Sequence, residues 1–466
     1  MKKLKLSILF LICTSVSVFG QDSPITLSVK NCLEYAGANS SNLKMARFDE
    51  KISVQQINEV KGRALPQANI TGAWEDKLIV PFLIIPGGFG GAPGSTSGAP
   101  GGNASSEATK IRMGYQFNTT VVGEVTQMII DPSLGIALKA AKEGTKLYKQ
   151  QTQQVSEETA YNIANAYYQV IVRQKQQDLL KANLNTVGKT LDNTELQLKN
   201  GVAKQVDVNR LKVNSNNLKS QINQSDLGLQ QALNNLKFQM GMPLNQPVIL
   251  TDTALTFSPE DVSGLGEADN IISNRIEYKL LQTNLSLLQL DKANNARGYY
   301  PSLTGYANYG YNGQGAQFHV VKTPDNGWVD YRNSSLGLRL RIPVFDGFQR
   351  SSRNQMAKLK IDQLRENITL SKQSMNLEIS NAVVQYKNAQ QRIQAESENV
   401  TLAEEVYKVT QLEYREGVTP SINLVTSEMS LREAQNAYTN SLLDFYTARL
   451  NLEKAKGTVT SFINSK

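Results

Sequence analysis

Three landmarks recur at the same spacing in the two halves of this chain. Asp131, Gly201 and Gly241 are separated by 70 and 40 residues; Asp346, Gly417 and Gly457 are separated by 71 and 40. The glycines of the two copies are offset by 417 − 201 = 216 residues. A repeat this long points to an architecture made by duplication, and it is hard to reconcile with an ordinary enzyme. The stretches between each Asp and its first Gly are nearly free of helix breakers. Residues 132–200 hold one proline, Pro132 at the start, and residues 347–416 hold none and only Gly347. Rich in Gln, Asn, Glu, Lys, Leu and Ala, both stretches suit long helices. At ~1.5 Å per residue each spans about 105 Å.

After each glycine the chain turns back. Leu431, Ala434, Tyr438, Leu442, Phe445, Ala448 and Leu452 are spaced by threes and fours, a coiled-coil seam. Their counterparts are Ser215, Leu218, Ile222, Asp226, Leu229, Ala232 and Leu236, so the first copy keeps the seam imperfectly. From Gly201 to Gly241 the return arm is ~60 Å as helix. Pro243, Pro247 and Pro259 then mark a break, with Gly264 and Gly266 nearby. A second helical stretch from about Glu267 to Arg297 adds ~45 Å. The expected unit is a hairpin whose returning leg is two stacked helices. In the second copy the N-terminal helix, Leu27 to about Arg63, completes that leg.

Between the helical legs lie segments of period two. Ala68, Ile70, Gly72 and Trp74 alternate with polar neighbours, as do Tyr115, Phe117, Thr119, Val121 and Val125. The second half offers Leu303, Gly305, Ala307, Tyr309 and Tyr311, then Leu336, Leu338, Leu340 and Ile342. Such segments are half-buried strands of a soluble sheet or strands of a membrane barrel. The first pair is joined by residues 81–110, whose 87–102 core is rich in Gly, Pro and Ser and reads as irregular loop. The apolar run Phe82-Leu83-Ile84-Ile85 is a rim or contact patch. The second loop, about 313–332, carries His319, Trp328 and Tyr331, aromatics suited to a membrane boundary. Four strands cannot close a membrane barrel, whose smallest members have about eight. Open edges in lipid would leave backbone groups unpaired, so the protomer has to assemble. Three copies give twelve strands, enough for an open pore; two give eight, an interior filled by side chains.

Composition narrows the compartment. Met1-Lys2-Lys3-Leu4-Lys5 followed by an apolar run to Val18 and by Phe19-Gly20 reads as a signal peptide spanning 1–20. Cys13, preceded by Ile12, makes a poor lipoprotein acceptor. Removal of Lys2, Lys3 and Lys5 takes the formal charge from +8 to +5. With charges of mixed sign and no basic face interleaved with aromatics, no nucleic-acid footprint is present. No later segment approaches ~18 consecutive apolar residues. The remaining cysteine, Cys32, can form no internal disulfide and lies in an apolar helical pattern, which suits packing. One histidine, His319, is too few for a histidine metal cluster. Gly87-Gly88-Phe89-Gly90-Gly91 opens no helix and fails as a phosphate loop. There is no Gly-x-Ser-x-Gly elbow. The reading is a protein that is not an enzyme and has no cofactor.

Several junctions resemble those of the TolC-like outer-membrane efflux proteins. Arg341-Ile342-Pro343-Val344-Phe345-Asp346-Gly347 is similar to that family's strand-to-helix junction, with Met128-Ile129-Ile130-Asp131-Pro132 as its weaker partner. Ala64-Leu65-Pro66 and Tyr299-Tyr300-Pro301-Ser302-Leu303 are similar to its helix-to-strand junctions. The tips 196–202 and 412–418, each with a glycine followed six residues later by Asp207 or Asn423, are similar to its hairpin tips. The resemblance covers nearly the whole mature chain. It implies a mainly α fold with a membrane β part: a homotrimer with a twelve-stranded barrel continuous with a coiled-coil helical tunnel. The first copy is expected at 21–250 and the second at 251–466. It further implies a passive conduit of a tripartite efflux or type I secretion system, set in the Gram-negative outer membrane with its tunnel in the periplasm. A periplasmic adaptor (membrane fusion protein) and an inner-membrane efflux pump or ABC transporter are its implied partners, besides outer-membrane lipid.

The resemblance also implies site residues. Asp207 and Tyr414 match positions of a polar link that closes the tunnel entrance in relatives. Thr419 stands where that link has an arginine, and Asn423 and Thr426 stand where relatives carry a ring of aspartates. The expected gate is therefore Asp207–Tyr414 with neutral hydrogen bonds from Asn423 and Thr426; the plainer reading is that Asp207 caps its helix. Gly201, Val202, Gly417 and Val418 are the expected docking tips for an adaptor's helical hairpin. Arg339 and Arg341 face the barrel lumen if Leu338 and Leu340 face lipid. The alternative is a periplasmic adaptor or structural coiled-coil protein, against which the two hairpins and two strand pairs argue.

Overall fold

Asp131 sits between a strand and a helix and ends one to start the other. Its Oδ1 accepts from the Ser133 amide at 2.8 Å and from the Ser133 hydroxyl at 2.6 Å, with Pro132 in the first helical position. This is an N-cap followed by the one residue whose missing N–H costs nothing there. Asp346 serves its copy in another way, accepting from the backbone amide of Arg350 at 3.0 Å and from its Nε at 2.6 Å.

The computed structural model describes residues 25–85, 109–251, 268–319 and 327–464. The expected signal peptide, the glycine-rich stretch 87–102, Pro259, Gly264 and Gly266 lie outside them. The elements run β1 (Ile25–Leu27), α1 (Val29–Asn39), α2 (Ser41–Gly62), β2 (Gln67–Asp76), β3 (Phe82–Ile85), β4 (Thr109–Arg112), β5 (Phe117–Ile130), α3 (Pro132–Lys199) and α4 (Gln205–Met240). They continue with β6 (Val248–Leu250), α5 (Ala268–Asn274), α6 (Ile276–Arg297), β7 (Ser302–Gly315), β8 (Val329–Arg341), α7 (Gln349–Arg415), α8 (Ser421–Lys456) and α9 (Val459–Asn464). The long helices match in length between copies, 68 and 67 residues outward and 36 and 36 returning. No described helix is long and apolar enough to cross a membrane.

The chain forms two compact units, and each draws on both halves of the sequence. Among the described residues, unit 1 is made from 25–50, 147–251, 268–282 and 366–464, and unit 2 from 51–85, 109–146, 283–319 and 327–365.

In unit 2, β2, β5, β7 and β8 form one antiparallel sheet in that order, leaving β2 and β8 as its edges. Residues opposite each other share a face. Ile70, Gly123 and Tyr309 align on one side, and so do Ala68, Val125, Ala307 and Leu336. Asn69, Glu124, Asn308 and Ser335 align on the other side. The polar side is stitched by side chains: Thr120 to Asn312 at 3.3 Å, Asn312 to Asn333 at 3.0 Å and Ser335 to Asn308 at 3.0 Å. The apolar side stays open, with Ile70 82% and Leu336 87% exposed. All four strands meet their helices at one end of the sheet, and the hairpin connections lie at the other.

In unit 1 a main core joins the helices, and a smaller cluster of Leu180, Val187 and Leu218 lies between α3 and α4. Tyr167, Tyr386, Phe445, Ile163, Leu236 and Met240 are among the main core's largest fully buried side chains. Cys32 is fully buried in it, as packing predicts. The seam on α8 is buried at Leu431, Leu442, Phe445, Ala448 and Leu452. On α4 the weak seam position Asp226 is exposed and accepts from Gln177 Nε2 at 2.6 Å.

Three expectations need correction, and one strand pair was not expected. The N-terminal helix is two helices, α1 and α2, parted at Ser40, whose non-helical backbone (φ −56°, ψ 124°) stops α1. β1 pairs in parallel with β6, two three-residue strands too short to show alternation. Phe82–Ile85 is strand β3, paired antiparallel with β4 inside what reads as loop. Trp328 is not at an exposed boundary: it is buried, its ring close against Gly313 and Gly315 where a Cβ would collide, and its Nε1 donates to the Tyr311 hydroxyl at 3.3 Å. His319 meets it edge-on at 6.1 Å.

Candidate functional site

The two hairpin tips of unit 1 are close replicas. Gly201 and Gly417 hold φ at +76° and +77°. At the first, the Gly201 amide donates to Leu198 and the Val202 amide to Gln197, each at 2.9 Å. At the second, Gly417 donates to Tyr414 at 3.1 Å and Val418 to Glu413 at 2.9 Å. These paired bonds satisfy the last carbonyls of α3 and α7 and require a left-handed residue, which glycine supplies without a Cβ penalty. Both turns aim a valine outward: Val202 is 77% and Val418 76% exposed. An apolar side chain held at each helical apex suits contact with another helix.

Behind the apices the two copies are tied by polar side chains. Ser421, the first residue of α8, is buried and donates its hydroxyl to Asp207 Oδ1 in the first turn of α4. Arg210 Nη1 reaches the same Ser421 Oγ at 3.3 Å and Asp207 Oδ1 at 3.6 Å. The carboxylate also sits at the positive end of α4, which favours its charge. Asp207 does not cap: the N-cap of α4 is Lys204, and no side chain bonds the cap amides. Tyr414, at the end of α7, shares a hydrogen bond with Thr194 of α3 at 3.3 Å. Within the chain, therefore, Asp207 and Tyr414 each bridge the two copies but with different partners, not with each other. Asn423 and Thr426 lie one turn apart on an exposed face of α8 and bond within their own helix region. Asn423 Nδ2 donates to Thr419 Oγ1, and Thr426 Oγ1 to the Ile422 carbonyl, both at 2.9 Å.

Sequence reasoning missed Ser421 and the layer beyond it. There Asn214 Nδ2 donates to Glu428 Oε2 at 3.0 Å, while Arg432 Nη1 stands 3.7 Å from Glu428 Oε1. Glu428 is almost wholly buried, and Tyr407 nearby has its pKa pushed up to about 12, first by burial and second by the Glu428 charge. Asn214 follows Asp207 by seven residues and Glu428 follows Ser421 by seven, so a heptad reading of polar pairs contains the signal. Two clefts flank these ties. One, about 390 Å³, lies between α3 and α7 and includes Thr194, Gln411 and Tyr414. The other, about 450 Å³, lies between α4 and α8 and is walled by Val206, Val213, Ile422, Val425 and Met429.

In unit 2, Arg339 and Arg341 occupy alternate positions of β8 on the face shared with Thr304 and Ser302. Leu338 and Leu340 occupy the opposite face with Gly305 and Leu303. The Arg339 guanidinium lies over the Tyr306 ring, 5.1 Å from its centroid.

Comparison with known proteins gives this arrangement a context. Residues 284–458 match the family model "Outer membrane efflux protein". The chain is 21% identical to the probable efflux pump outer membrane protein TtgC of Pseudomonas putida over 308 residues, 64% of this chain. That match spans 60% of the relative's own length. It is 18% identical to the outer membrane protein TolC of Vibrio cholerae, covering 72% of this chain and 76% of the relative. Among solved structures, the CmeC outer membrane channel of Campylobacter jejuni superposes with a TM-score of 0.66 at 14% identity, covering 94% of this chain and 88% of that one. At such identity the likeness establishes the fold.

Proposed function

We propose, from the match of residues 284–458 to the outer membrane efflux protein model and the similarity to efflux-pump outer membrane proteins, that the chain is the outer-membrane channel of a tripartite efflux or type I secretion system. Three copies form the conduit, which is passive and carries out no chemistry. The observation that carries this reading is the sheet of unit 2. It is four strands wide, polar on one face, apolar and open on the other, and has no further strand at either edge among the described residues. Such a sheet is stable in lipid only when its edges close against other copies. Residues 21–250 and 251–466 are then two copies of one strand-and-hairpin unit, and Arg339 and Arg341 line the lumen. The test is heat-resistant trimers in outer-membrane fractions that conduct in planar bilayers. A soluble periplasmic monomer overturns the reading.

The tips are the gated and docking end of this conduit. Asp207 holds the start of α8 through Ser421, and Tyr414 holds α3 through Thr194, while Asn423 and Thr426 turn polar, uncharged groups to the opening. Val202 and Val418, beside Gly201 and Gly417, are contacts for an adaptor's helical hairpin, and the two clefts give its helices grooves to enter. An inner-membrane pump or ABC transporter supplies the energy. Asp207→Ala is expected to raise closed-state conductance and antibiotic leakage several-fold, because Ser421 loses its acceptor and Arg210 its counter-charge. Closed-state conductance equal to wild type sinks this gate.

A further inference from the structure

The junction where β8 of unit 2 ends and α7 begins has features that neither gating nor conduction uses. Phe348 is the one described non-glycine residue with positive φ, +66°, directly after Gly347 at +63°. Left-handed backbone is unfavourable for a residue with a Cβ, and such outliers persist where something else is gained. Here the strained turn sets the Phe348 ring edge-on to Phe345 at 5.5 Å, yet both remain outside any core, 71% and 73% exposed, with Val344 at 92%. Tyr299 and Tyr300, at the start of the neighbouring strand, are also exposed.

These aromatics sit among cations. Residues 294–303 and 342–353 contain Arg297, Arg350 and Arg353 against a single acid, Asp346. Arg350 neutralises that acid, donates to the Gly298 carbonyl at 2.7 Å and covers the Tyr299 ring at 4.9 Å. It thereby fixes the turn before β7 to the start of α7. Arg297, over the Tyr300 ring at 5.4 Å, and the exposed Arg353 have no carboxylate within ion-pair distance among the described residues. Four exposed aromatics beside two unmatched guanidiniums, at the water edge of an apolar sheet face, complement one ligand well. Rings enter the region between acyl chain and headgroup, and guanidiniums meet phosphate.

We infer that this junction is a seat for an anionic phospholipid of the periplasmic leaflet, with Phe345 and Phe348 inserted and Arg297 and Arg353 on the headgroup phosphate. The inference rests on the outer-membrane reading above. The test uses the full-length protein carrying Phe345→Trp, reconstituted in phosphatidylethanolamine vesicles containing phosphatidylglycerol brominated high on its acyl chains. The seat predicts strong quenching of the new tryptophan, taken as the difference from the parent protein that carries only Trp74 and Trp328, in excess of the lipid's mole fraction. Arg297→Gln with Arg353→Gln is expected to lower that enrichment by about fivefold per guanidinium, leaving trimer mobility and conductance unchanged. Inorganic phosphate in excess should not relieve the quenching, which separates lipid from free anion. Quenching equal for brominated phosphatidylglycerol and brominated phosphatidylethanolamine overturns the headgroup seat. Absent quenching in a conducting trimer overturns it as well, because a second copy then covers the aromatics. Absent quenching together with absent conductance overturns the channel reading itself.

Discussion

Gly241 and Gly457 close the two returning helices with the same φ, +73°, but their surroundings differ. A Cβ on Gly241 would lie 2.8 Å from the Asn39 carbonyl oxygen and 3.1 Å from the Ser40 Cα, both backbone; on Gly457 the nearest atom is Arg275 Cγ at 3.4 Å. Both alanine substitutions force a left-handed residue, at about 1–2 kcal/mol. Gly241→Ala adds an overlap that only backbone movement relieves, about 1–3 kcal/mol more. The expected order of urea midpoints is therefore wild type, then Gly457→Ala, then Gly241→Ala; equal losses would mean that α1 yields freely. Asp346 gives a second measurement at this scale. The Arg350 hydrogen bond holds its carboxyl below the usual carboxylate range, with burial opposing. A depressed folded pKa gives stability that is present above the unfolded pKa and is lost as pH falls through the folded one. The advantage of wild type over Asp346→Asn should thus be constant from neutral pH to about 5 and shrink below about pH 4, read from unfolding midpoints. The landmark glycines and aspartates were legible because each meets a local backbone demand, a left-handed turn or a helix start. The Asp207–Ser421 tie was not, because its partner lies 214 residues away and depends on how two helices are registered.

The same division holds for whole elements. Long helices announce themselves by the absence of breakers and by the glycine that ends them, and α3, α4, α7 and α8 fall where the spacing places them. The break at Ser40 carries neither proline nor glycine, and β1 and β6 are held by pairing across more than 220 residues, so neither leaves a local trace. The strands were legible through alternation, and alternation also fixes what each face tolerates. Leu338 is 68% exposed on the apolar side of the edge strand β8, whereas Ser335 lies on the side of Asn308. In a barrel, Leu338→Arg puts a guanidinium into lipid at about 2–4 kcal/mol near the midplane. Ser335→Arg puts one into water. Heat-resistant trimer should therefore fall sharply for Leu338→Arg and persist for Ser335→Arg. Equal yields would mean that the exposed apolar face of the sheet does not meet lipid.

At the scale of the molecule, the order β2-β5-β7-β8 makes assembly directly testable. Two strands separate the edges, so β2 and β8 of one chain are three strand spacings apart, about 14 Å. A disulfide needs Cα atoms within about 7 Å. Cysteine pairs placed one on β2 and one on β8 therefore cannot close within a chain whose sheet keeps this order, but they can close between copies whose edges pair. The native Cys32 is fully buried, and a Cys32→Ser background removes it from the readout. Scanning positions 67–76 against 329–341 under mild oxidation should give covalent dimers and trimers at a set of pairs running along the strands in antiparallel or parallel register. The sense of that progression would assign the pairing between copies, which no single chain contains. Three copies contribute twelve strands, and a closed ring of copies has no terminal edge, so products should stop at the trimer. A continuing series of higher oligomers would mean that the edges pair without closing, as in an open sheet, and monomeric products alone would mean that they do not pair.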